Sequence, residues 1–366
     1  MSLKGKDLVS LSDFSRAQIL CVLDVAEQMA TAIGFDGGPR SPLDPLDSIL
    51  ATLFFEPSTR TRLSFESAML RLGGQTLGFA DPGTSSAKKG ETLADTARMV
   101  SAYADIIVVR HPLAGAAKVM ADFSDKPVIN AGDGAREHPT QTLTDLFTIR
   151  RELGTLAGLK VGLAGDLKYG RTVHSLAPVM AQFGSDIVCI SPDALRMPES
   201  VLQQVRAAGK QATETDDLAA ALADVDVLYM TRVQRERFPS EADYEAVKGS
   251  CNLTPELMAQ GKEGLRVLHP LPRVDEIAPG VDADRRAAYF RQAAGGVPVR
   301  MALIALLLGL YGARPGGEPA PPAPEPVATD QRCMNPKCIM STEAHLQRLC
   351  HEHEDKRTCA YCEIAL

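Results

Sequence analysis

The feature that most constrains the fold is a regular alternation of short apolar runs and amphipathic segments over residues 1 to about 311. Short apolar runs predict strands at Ser48–Phe55, Ile106–Arg110, Pro127–Asn130, Lys160–Ala164, Asp186–Ile190, Val225–Met230 and Arg266–Leu268. Helical periodicity lies between them, for example at Thr92–Tyr103, Thr140–Leu153, Thr172–Phe183 and Pro198–Ala208. Such alternation is typical of an α/β fold with doubly wound parallel sheets, covered by helices on both faces.

The alternation restarts after a long helix, which predicts two α/β domains at residues 1–150 and 151–295. A final helical segment, 296–311, is apolar almost all round and must therefore be buried. Residues 312–330 are predicted to form a linker whose six prolines make it a semi-rigid tether, which could reach roughly 50 Å. The last segment, 331–366, is too short to bury an adequate core by itself.

Composition and charge argue against several functional classes. A net charge of −7 argues against a nucleic-acid-binding protein. The longest apolar run, Met301–Leu310, has the length of a buried helix rather than of a membrane span. Because the N-terminus lacks an apolar signal segment, we expect a cytoplasmic protein that does not bind a membrane.

Polar side chains follow six predicted strands at their carboxyl ends, where ligands bind in parallel sheets. The first group, Ser58-Thr59-Arg60-Thr61, begins a predicted helix whose free N–H groups and dipole favour a phosphate. The others are Arg110, His138 with Gln141, Arg171, Arg232 with Gln234, and the sequence HPLPR at 269–273. Each alone has an ordinary alternative as a helix cap, salt bridge, core histidine or surface arginine. Their common placement predicts a site between two domains for one phosphate and one carboxylate.

Three segments resemble the aspartate and ornithine carbamoyltransferase family: Ser58-Thr59-Arg60-Thr61, HPTQT at 138–142 and HPLPR at 269–273. Two more, SSAKKGETLADT at 85–96 and YMTRVQRERF at 229–238, resemble its aspartate branch. The ornithine branch has a cysteine where this chain has Pro270. The resemblance implies that the first domain binds carbamoyl phosphate and is completed by helix 296–311, and that the second domain binds aspartate.

The resemblance also implies a role for each matched residue. The expected carbamoyl-phosphate ligands are Ser58, Thr59, Arg60, Thr61, Ser85, Lys89, Arg110, His138, Gln141, Leu271 and Pro272. The expected aspartate ligands are Lys89, Arg171, Arg232 and Gln234. The residues expected to act in catalysis are Arg60, Thr61, Lys89, Arg110 and His138. Ser85 and Lys89 match a mobile loop that reaches a neighbouring subunit, so the family implies a homotrimer with shared active sites, and a larger assembly is left open.

These residue types suit the transfer of a carbamoyl group from carbamoyl phosphate to the α-amine of aspartate, a step of pyrimidine biosynthesis in this family. The amine is itself the nucleophile, so catalysis needs neither a nucleophilic side chain nor a cofactor. Arginines hold two anions that repel each other, and donors at the carbonyl oxygen stabilise its developing charge. We hypothesise that the leaving phosphate accepts the amine proton.

The C-terminal segment contains five of the eight cysteines. Cys333 and Cys338 form a C-x4-C pair and Cys359 and Cys362 a C-x2-C pair, which is typical of a structural zinc site with four thiolate ligands. The alternative ligands between the pairs are Cys350, His345, His351 and His353. The segment resembles the zinc domain of the regulatory chain of the aspartate branch, but the nucleotide-binding domain of that chain is missing. We hypothesise that this tail docks on a catalytic domain and steadies the assembly.

The sequence leaves two alternatives open. One is a carbamoyltransferase for another amino acid, as in the ornithine branch, against which Pro270 and the stretch Thr231-Arg232-x-Gln234 argue. The other is a catalytically silent scaffold with a zinc-dependent interaction module, which we would expect to have lost ligand side chains. An assay with carbamoyl phosphate and either aspartate or ornithine separates the three.

Overall fold

A computed structural model describes residues 2–366 except 42, 44–45, 85, 234–239, 241–243, 246, 312–324, 344 and 354–355. Contacts between residues divide the chain into two compact units. The first unit contains Met1–Thr140 and Val297–Leu366, and the second contains Gln141–Gly296. The predicted domain boundary at 150/151 stays a prediction. It was expected near the end of a long helix, whereas the two units divide between Thr140 and Gln141, at the start of the helix Pro139–Leu153.

The first unit contains a parallel sheet in the strand order β2-β1-β3-β4. Its strands are β1 (Ile49–Phe54), β2 (Gln75–Phe79), β3 (Ile106–His111) and β4 (Val128–Asp133). Its helices include α1 (Arg16–Ala32), α2 (Thr59–Arg71), α3 (Leu93–Ser101) and α4 (Ala116–Asp122). Because β1, β3 and β4 are parallel neighbours, the loops that follow them lie at one edge of this sheet.

The second unit contains a parallel sheet in the order β7-β6-β5-β8-β9. Its strands are β5 (Lys160–Ala164), β6 (Asp186–Ile190), β7 (Ala212–Thr215), β8 (Val227–Met230) and β9 (Arg266–Leu268). The helices of this part of the chain include α5 (Pro139–Leu153), α6 (Arg171–Gln182), α7 (Glu199–Ala207), α8 (Leu218–Leu222), α9 (Pro255–Met258) and α10 (Tyr289–Leu307). The loops after β5, β8 and β9 are neighbours at the carboxyl edge of this sheet.

The predicted fold class, two parallel-sheet α/β domains, is confirmed. The predicted strands β5, β6 and β9 have the observed bounds. Strands β2 and β7 were not predicted, because both are edge strands with half-exposed residues and therefore lack an apolar run. Among the described residues, no helix combines the length and the apolar character needed to cross a membrane.

The tail forms a small antiparallel sheet in the order β10-β11-β12. Its elements are β10 (Val327–Ala328), α11 (Ile339–Thr342), β11 (Leu349–His353) and β12 (Lys356–Cys359). The tail belongs to the first unit and packs on the rest of it: Ala114 N donates to Lys337 O at 3.0 Å, and Ile339 N donates to Ala114 O at 2.9 Å. Buried side chains of the tail and of helices α3 and α4 share one apolar cluster.

Candidate active site and candidate metal centre

The turn between β1 and α2 has the features of a phosphate-binding site. Ser58 is the N-cap residue of α2, yet its hydroxyl donates to Thr61 Oγ1 at 3.0 Å and makes no capping bond within the described part of the chain. The first N–H groups of a helix have no acceptor within the helix and lie at the positive end of its dipole. Arg60 is exposed, whereas Thr61 is buried. The turn therefore offers N–H, hydroxyl and guanidinium donors to an oxyanion.

Arg110, near the end of β3, supplies a second guanidinium group in this unit. Its Nη1 donates to the carbonyl of Ala131 at 3.1 Å, and its Nη2 lies 3.4 Å from Glu56 Oε2. Its Nε is buried without a hydrogen-bond partner among the described residues. Burial is the largest cause that lowers the pKa of Arg110; the carboxylate of Glu56 opposes this effect, and the nearby charge of Arg60 adds to it. Two adjacent guanidinium groups with an unused buried donor favour the binding of an anion.

His138 follows the neighbouring strand β4 at the entry to α5. Its ring is buried, and its Nδ1 lies 3.3 Å from Thr140 Oγ1. Lys89 is exposed at the end of a 3-10 turn that precedes α3. Two of the predicted ligands, Ser85 and Gln234, lie outside the described residues, so their roles stay predictions.

The two arginines expected to bind carboxylates follow neighbouring strands of the second unit. Arg171 is the first residue of α6 and Arg232 follows β8; both are half-buried. Gly165 has φ +108°, and a Cβ added there would lie 2.4 Å from Thr231 O. Thr231 N and Thr231 Oγ1 donate to Ala164 O at 2.8 and 3.0 Å. These contacts bring the loop after β5 against the loop after β8, so both arginines belong to the same edge of the sheet.

Gln141 is held by a buried carboxylate one turn further along α5. Its Nε2 donates to Asp145 Oδ1 at 2.8 Å. Asp145 also accepts hydrogen bonds from Gln292 Nε2 on Oδ1 at 2.6 Å and from the hydroxyl of Tyr229 on Oδ2 at 3.0 Å. Burial, and then the charge of Asp145, raise the pKa of Tyr229 well above its usual value. The Tyr229 hydroxyl therefore keeps its proton and donates it in a hydrogen bond to this carboxylate.

The loop after β9, which contains Leu271 and Pro272, is organised by His269. The imidazole Nδ1 accepts from Leu271 N at 2.8 Å, which requires the proton on Nε2, and Nε2 donates to Glu276 Oε1 at 2.7 Å. Leu271 has φ 55°, a left-handed conformation that side chains other than glycine rarely adopt. Burial raises the pKa of Glu276, but the hydrogen bonds that it accepts from His269 and from backbone N–H groups lower it by more. The backbone carrying the Leu271 and Pro272 carbonyls is thus held by a His–Glu pair.

Four cysteines of the tail have the spacing of a zinc site. Cys333 Sγ lies 3.4 Å from Cys362 Sγ, and Cys338 Sγ lies 3.8 Å from Cys359 Sγ. All four sulfur atoms lie within 4.8 Å of one another, and none is in a disulfide. Tetrahedral zinc with Zn–S bonds of about 2.3 Å requires sulfur atoms about 3.8 Å apart. The four thiols therefore fit the ion, and Cys350 is not part of the group.

Two carboxylates of the tail contact segments that lead to predicted site residues. Glu343 Oε1 accepts from Leu93 N, the first residue of α3, at 2.8 Å. Glu363 pairs with Arg136, which precedes His138 on the loop after β4. Sequence reasoning missed both contacts, as it missed Asp145 and Glu276. Only for Asp145 was there a signal, namely its spacing of one helical turn from Gln141.

Two models of the aspartate/ornithine carbamoyltransferase family match the chain: the carbamoyl-P binding domain at residues 6–151 and the Asp/Orn binding domain at residues 157–307. The chain is 54% identical over 313 residues to the aspartate carbamoyltransferase catalytic subunit of Thermococcus kodakarensis, which covers 85% of this chain and 100% of that protein. It is 52% identical over 311 residues to the corresponding subunit of Methanosarcina barkeri, covering 85% and 99%.

Solved structures give the same result. Aspartate transcarbamoylase from Trypanosoma cruzi in complex with N-(phosphonacetyl)-L-aspartic acid has a TM-score of 0.78 and 42% identity, covering 84% of this chain and 97% of that chain. The catalytic subunit of M. jannaschii aspartate transcarbamoylase has a TM-score of 0.75 and 46% identity, covering 84% and 100%. The family models end before the tail.

Proposed function

Because the chain belongs to the aspartate/ornithine carbamoyltransferase family, we propose that it transfers the carbamoyl group of carbamoyl phosphate to the α-amine of L-aspartate, releasing N-carbamoyl-L-aspartate and phosphate. The family predicted from the motifs is confirmed, since models of both of its domains match. Relatives matched over their full length are aspartate carbamoyltransferase catalytic subunits, and the T. cruzi relative was solved with carbamoyl phosphate and aspartate. This match to the aspartate branch is the observation that carries the proposal.

The first unit binds carbamoyl phosphate in this proposal. The turn Ser58–Thr61 binds the phosphate group through its donors. Arg110, His138 and Thr61 donate hydrogen bonds to the carbonyl oxygen of carbamoyl phosphate. The buried, unused Nε of Arg110 supports this role, because an unsatisfied buried donor is costly until a ligand supplies an acceptor. Negative charge develops on the carbonyl oxygen as the amine attacks, and donors already aimed at it lower the barrier by several kcal/mol.

The second unit binds aspartate. Arg171, Arg232 and Gln234 hold its two carboxylates together with a Lys89 side chain contributed by a neighbouring subunit, and they place the amine against the carbonyl carbon. Gln141 and the carbonyls of Leu271 and Pro272 accept hydrogen bonds from the carbamoyl –NH₂ group. The C–N bond forms as the C–O bond to phosphate breaks, and the departing phosphate takes the amine proton. No metal or cofactor is required in this step.

Substitution of Arg60 tests the phosphate site. We expect Arg60→Ala to lower kcat/KM for carbamoyl phosphate by about 10²- to 10³-fold, the loss typical of one oxyanion-stabilising donor. The matched control is Arg62→Ala, because Arg62 lies on the same helix and pairs with Glu66 at 2.7 Å. Equal activities of Arg60→Ala and the wild-type protein would refute the assignment, and a wild-type protein that carbamoylates ornithine but not aspartate would refute the function.

We also propose that the tail binds one structural zinc ion through Cys333, Cys338, Cys359 and Cys362. The sulfur distances and the absence of disulfides among the described cysteines support this proposal. The ion would cross-link two loops of a segment that is too short to be stable alone. Metal analysis of the purified protein should find one zinc ion per chain, and Cys338→Ser should lose it; retention of the metal by that variant would refute the ligand set.

A homotrimer with shared active sites is the proposed assembly. Support comes from the exposed apolar side chains Leu63 and Leu70 on α2 and from the exposed position of Lys89. If Lys89 acts in a neighbouring site, mixing the inactive variants Arg60→Ala and Lys89→Ala after subunit exchange should restore part of the activity. Hybrids in which no activity returns would exclude a shared site. We further propose that the protein acts in pyrimidine biosynthesis in the cytoplasm, where its thiols stay reduced.

A further inference from the structure

Asp145 is a fully buried carboxylate that joins three elements of the second unit. It accepts hydrogen bonds from Gln141 on its own helix, from Gln292 on α10 and from Tyr229 on β8. Two of these donors, the side-chain amides of Gln141 and Gln292, share the single oxygen Oδ1. A buried carboxylate is tolerated only when such donors surround it.

Asp145 also fixes the orientation of the side-chain amides of Gln141 and Gln292. A glutamine side chain has an –NH₂ donor at one end and a carbonyl acceptor at the other, and a carboxylate accepts only from the –NH₂ end. Asp145 therefore turns the carbonyl oxygens of Gln141 and Gln292 away from itself. The carbonyl of Gln292 accepts from His269 N at 2.8 Å. The carbonyl of Gln141 is correspondingly presented as an acceptor.

The network continues from Gln292 into the loop after β9. His269 is held at its backbone N–H by Gln292 and at its Nε2 by Glu276, and its Nδ1 holds the backbone N–H of Leu271. This loop backbone thus depends on a chain of hydrogen bonds with carboxylates at both ends, Asp145 and Glu276. Every hydrogen bond of this network lies within the second unit.

We propose that Asp145 is the positioning residue that makes the site select a carbamoyl group, by orienting the Gln141 carbonyl and the backbone of the Leu271–Pro272 loop as acceptors for its –NH₂ group. This inference rests on the proposed function, which places those acceptors at the carbamoyl amide. A ligand with a methyl group in that position, such as acetyl phosphate, supplies no N–H donors and leaves the acceptors unpaired. Sites built on buried hydrogen-bonding groups discriminate strongly against such analogues.

The test compares KM for carbamoyl phosphate with the inhibition constants of acetyl phosphate and inorganic phosphate. We expect Asp145→Ala to raise KM for carbamoyl phosphate by about 10- to 100-fold, because Gln141 is then free to present its –NH₂ end. The two inhibition constants should change by less than about threefold, since neither inhibitor donates a hydrogen bond at this position. If Asp145 had a purely structural role, its substitution would weaken the binding of all three ligands alike.

Two further variants act as rescue and control. Asp145→Asn keeps one carbonyl oxygen for the two glutamines and turns its –NH₂ toward Tyr229, whose hydroxyl is able to accept, so it should restore KM to within about threefold of wild type. Tyr229→Phe removes the bond to Oδ2 and the hydrogen bond between the Tyr229 hydroxyl and Thr172, but leaves both bonds on Oδ1 in place. It should therefore leave the ratio of KM to the acetyl-phosphate constant unchanged.

Gln292→Leu covers the case in which Asp145→Ala does not fold. It breaks the arm toward His269 while Gln141 stays bound to Asp145, and it should also raise KM selectively. The proposal is overturned if Asp145→Ala, or Gln292→Leu in its place, keeps the wild-type ratio or shifts all three constants equally. A wild-type protein without aspartate carbamoylation would instead refute the proposed function, so the two failures are distinguishable.

Discussion

Gly115 shows how a single position controls the contact between the tail and the first unit. It has φ +87°, and a Cβ added there would lie 2.6 Å from Tyr361 Cβ and 2.7 Å from Tyr361 O. Its backbone N–H also donates to Asp133 Oδ2 at 2.9 Å. Neither the backbone conformation nor the space admits a side chain, so the tail packs directly on main chain at this point.

We expect Gly115→Ala to lower the free energy of unfolding by about 2–4 kcal/mol, because a conformational cost adds to a steric clash with Tyr361. The matched control is Gly5→Ala: Gly5 has φ +74°, and a Cβ there would meet nothing within 4 Å. This control should lose only about 1–2 kcal/mol. Chemical denaturation of the zinc-loaded proteins measures both values, and equal losses would show that the clash is absent.

Asp7 gives a prediction for pH dependence. Its Oδ1 accepts from Val128 N at 2.8 Å, and burial, the largest cause, raises its pKa from 3.8 to about 6. Between these two values the folded protein keeps a proton that the unfolded chain has lost, so the contribution of Asp7 to stability falls as the pH rises.

Asp7→Asn keeps an acceptor for Val128 but cannot ionise. We therefore expect its melting temperature to exceed that of the wild-type protein by more at pH 7.5 than at pH 4.5. After allowance for solvent screening at this half-buried site, the gain in the free energy of unfolding should be about 1 kcal/mol larger at pH 7.5 than at pH 4.5. Thermal melts at the two pH values measure it, and a pH-independent difference would contradict the raised pKa.

At the scale of single elements, helix α3 depends on the tail for its first turn. Thr92 caps the helix through Asp95 N at 3.1 Å, and Glu343 supplies an acceptor and a negative charge to Leu93 N. Both effects stabilise a helix N-terminus. Since α3 follows the segment that carries Lys89, the tail supports a part of the chain proposed to act in catalysis.

Glu343→Ala should lower the free energy of unfolding by about 1 kcal/mol, through the loss of one partly buried hydrogen bond and of its dipole interaction. Glu352→Ala is the control, because Glu352 makes an exposed ion pair with Arg357 in the same tail and should cost less than about 0.5 kcal/mol. Denaturant titration distinguishes the two variants, and indistinguishable midpoints would remove the proposed support of α3.

At the scale of the whole molecule, the tail and the rest of the first unit share one apolar cluster. The cluster contains the four cysteines together with the buried side chains Ile339, Leu346 and Tyr361 of the tail, and it includes Leu93 and Met120 of the first unit. Burial of each large apolar side chain contributes roughly 1.5–3 kcal/mol. Loss of the proposed zinc ion is therefore expected to destabilise the rest of the first unit and not only the tail.

Removal of zinc with a chelator should lower the melting temperature by several degrees, because loosening of the tail exposes this cluster. Deletion of 313–366 should lower it as well, and the truncated protein should no longer respond to the chelator. An unchanged melting temperature in both experiments would show that the tail makes no contribution to the stability of the rest of the first unit.

Much of the fold and part of the site were predictable because their signals are local. The bounds of β5, β6 and β9 follow from continuous buried runs, and the turn Ser58–Thr61 follows from residue types at a strand-to-helix junction. Strands β2 and β7 were missed because their exposed edges do not need an apolar pattern. The strands of the tail were missed because cysteine spacing predicts a metal site without predicting strand pairing.

The amino-acid sequence by itself determined the order of the elements, the polar residues at the strand ends that we propose bind anions, and the four-cysteine set, since each depends on residues close together in the chain. Only the tertiary structure decided which partners buried charges find across long separations. Gln292 meets Asp145 across 147 residues, and Glu343 meets Leu93 across 250. Contacts of this range obey no sequence period, because they arise only where the packing of separate elements brings a donor to a buried acceptor.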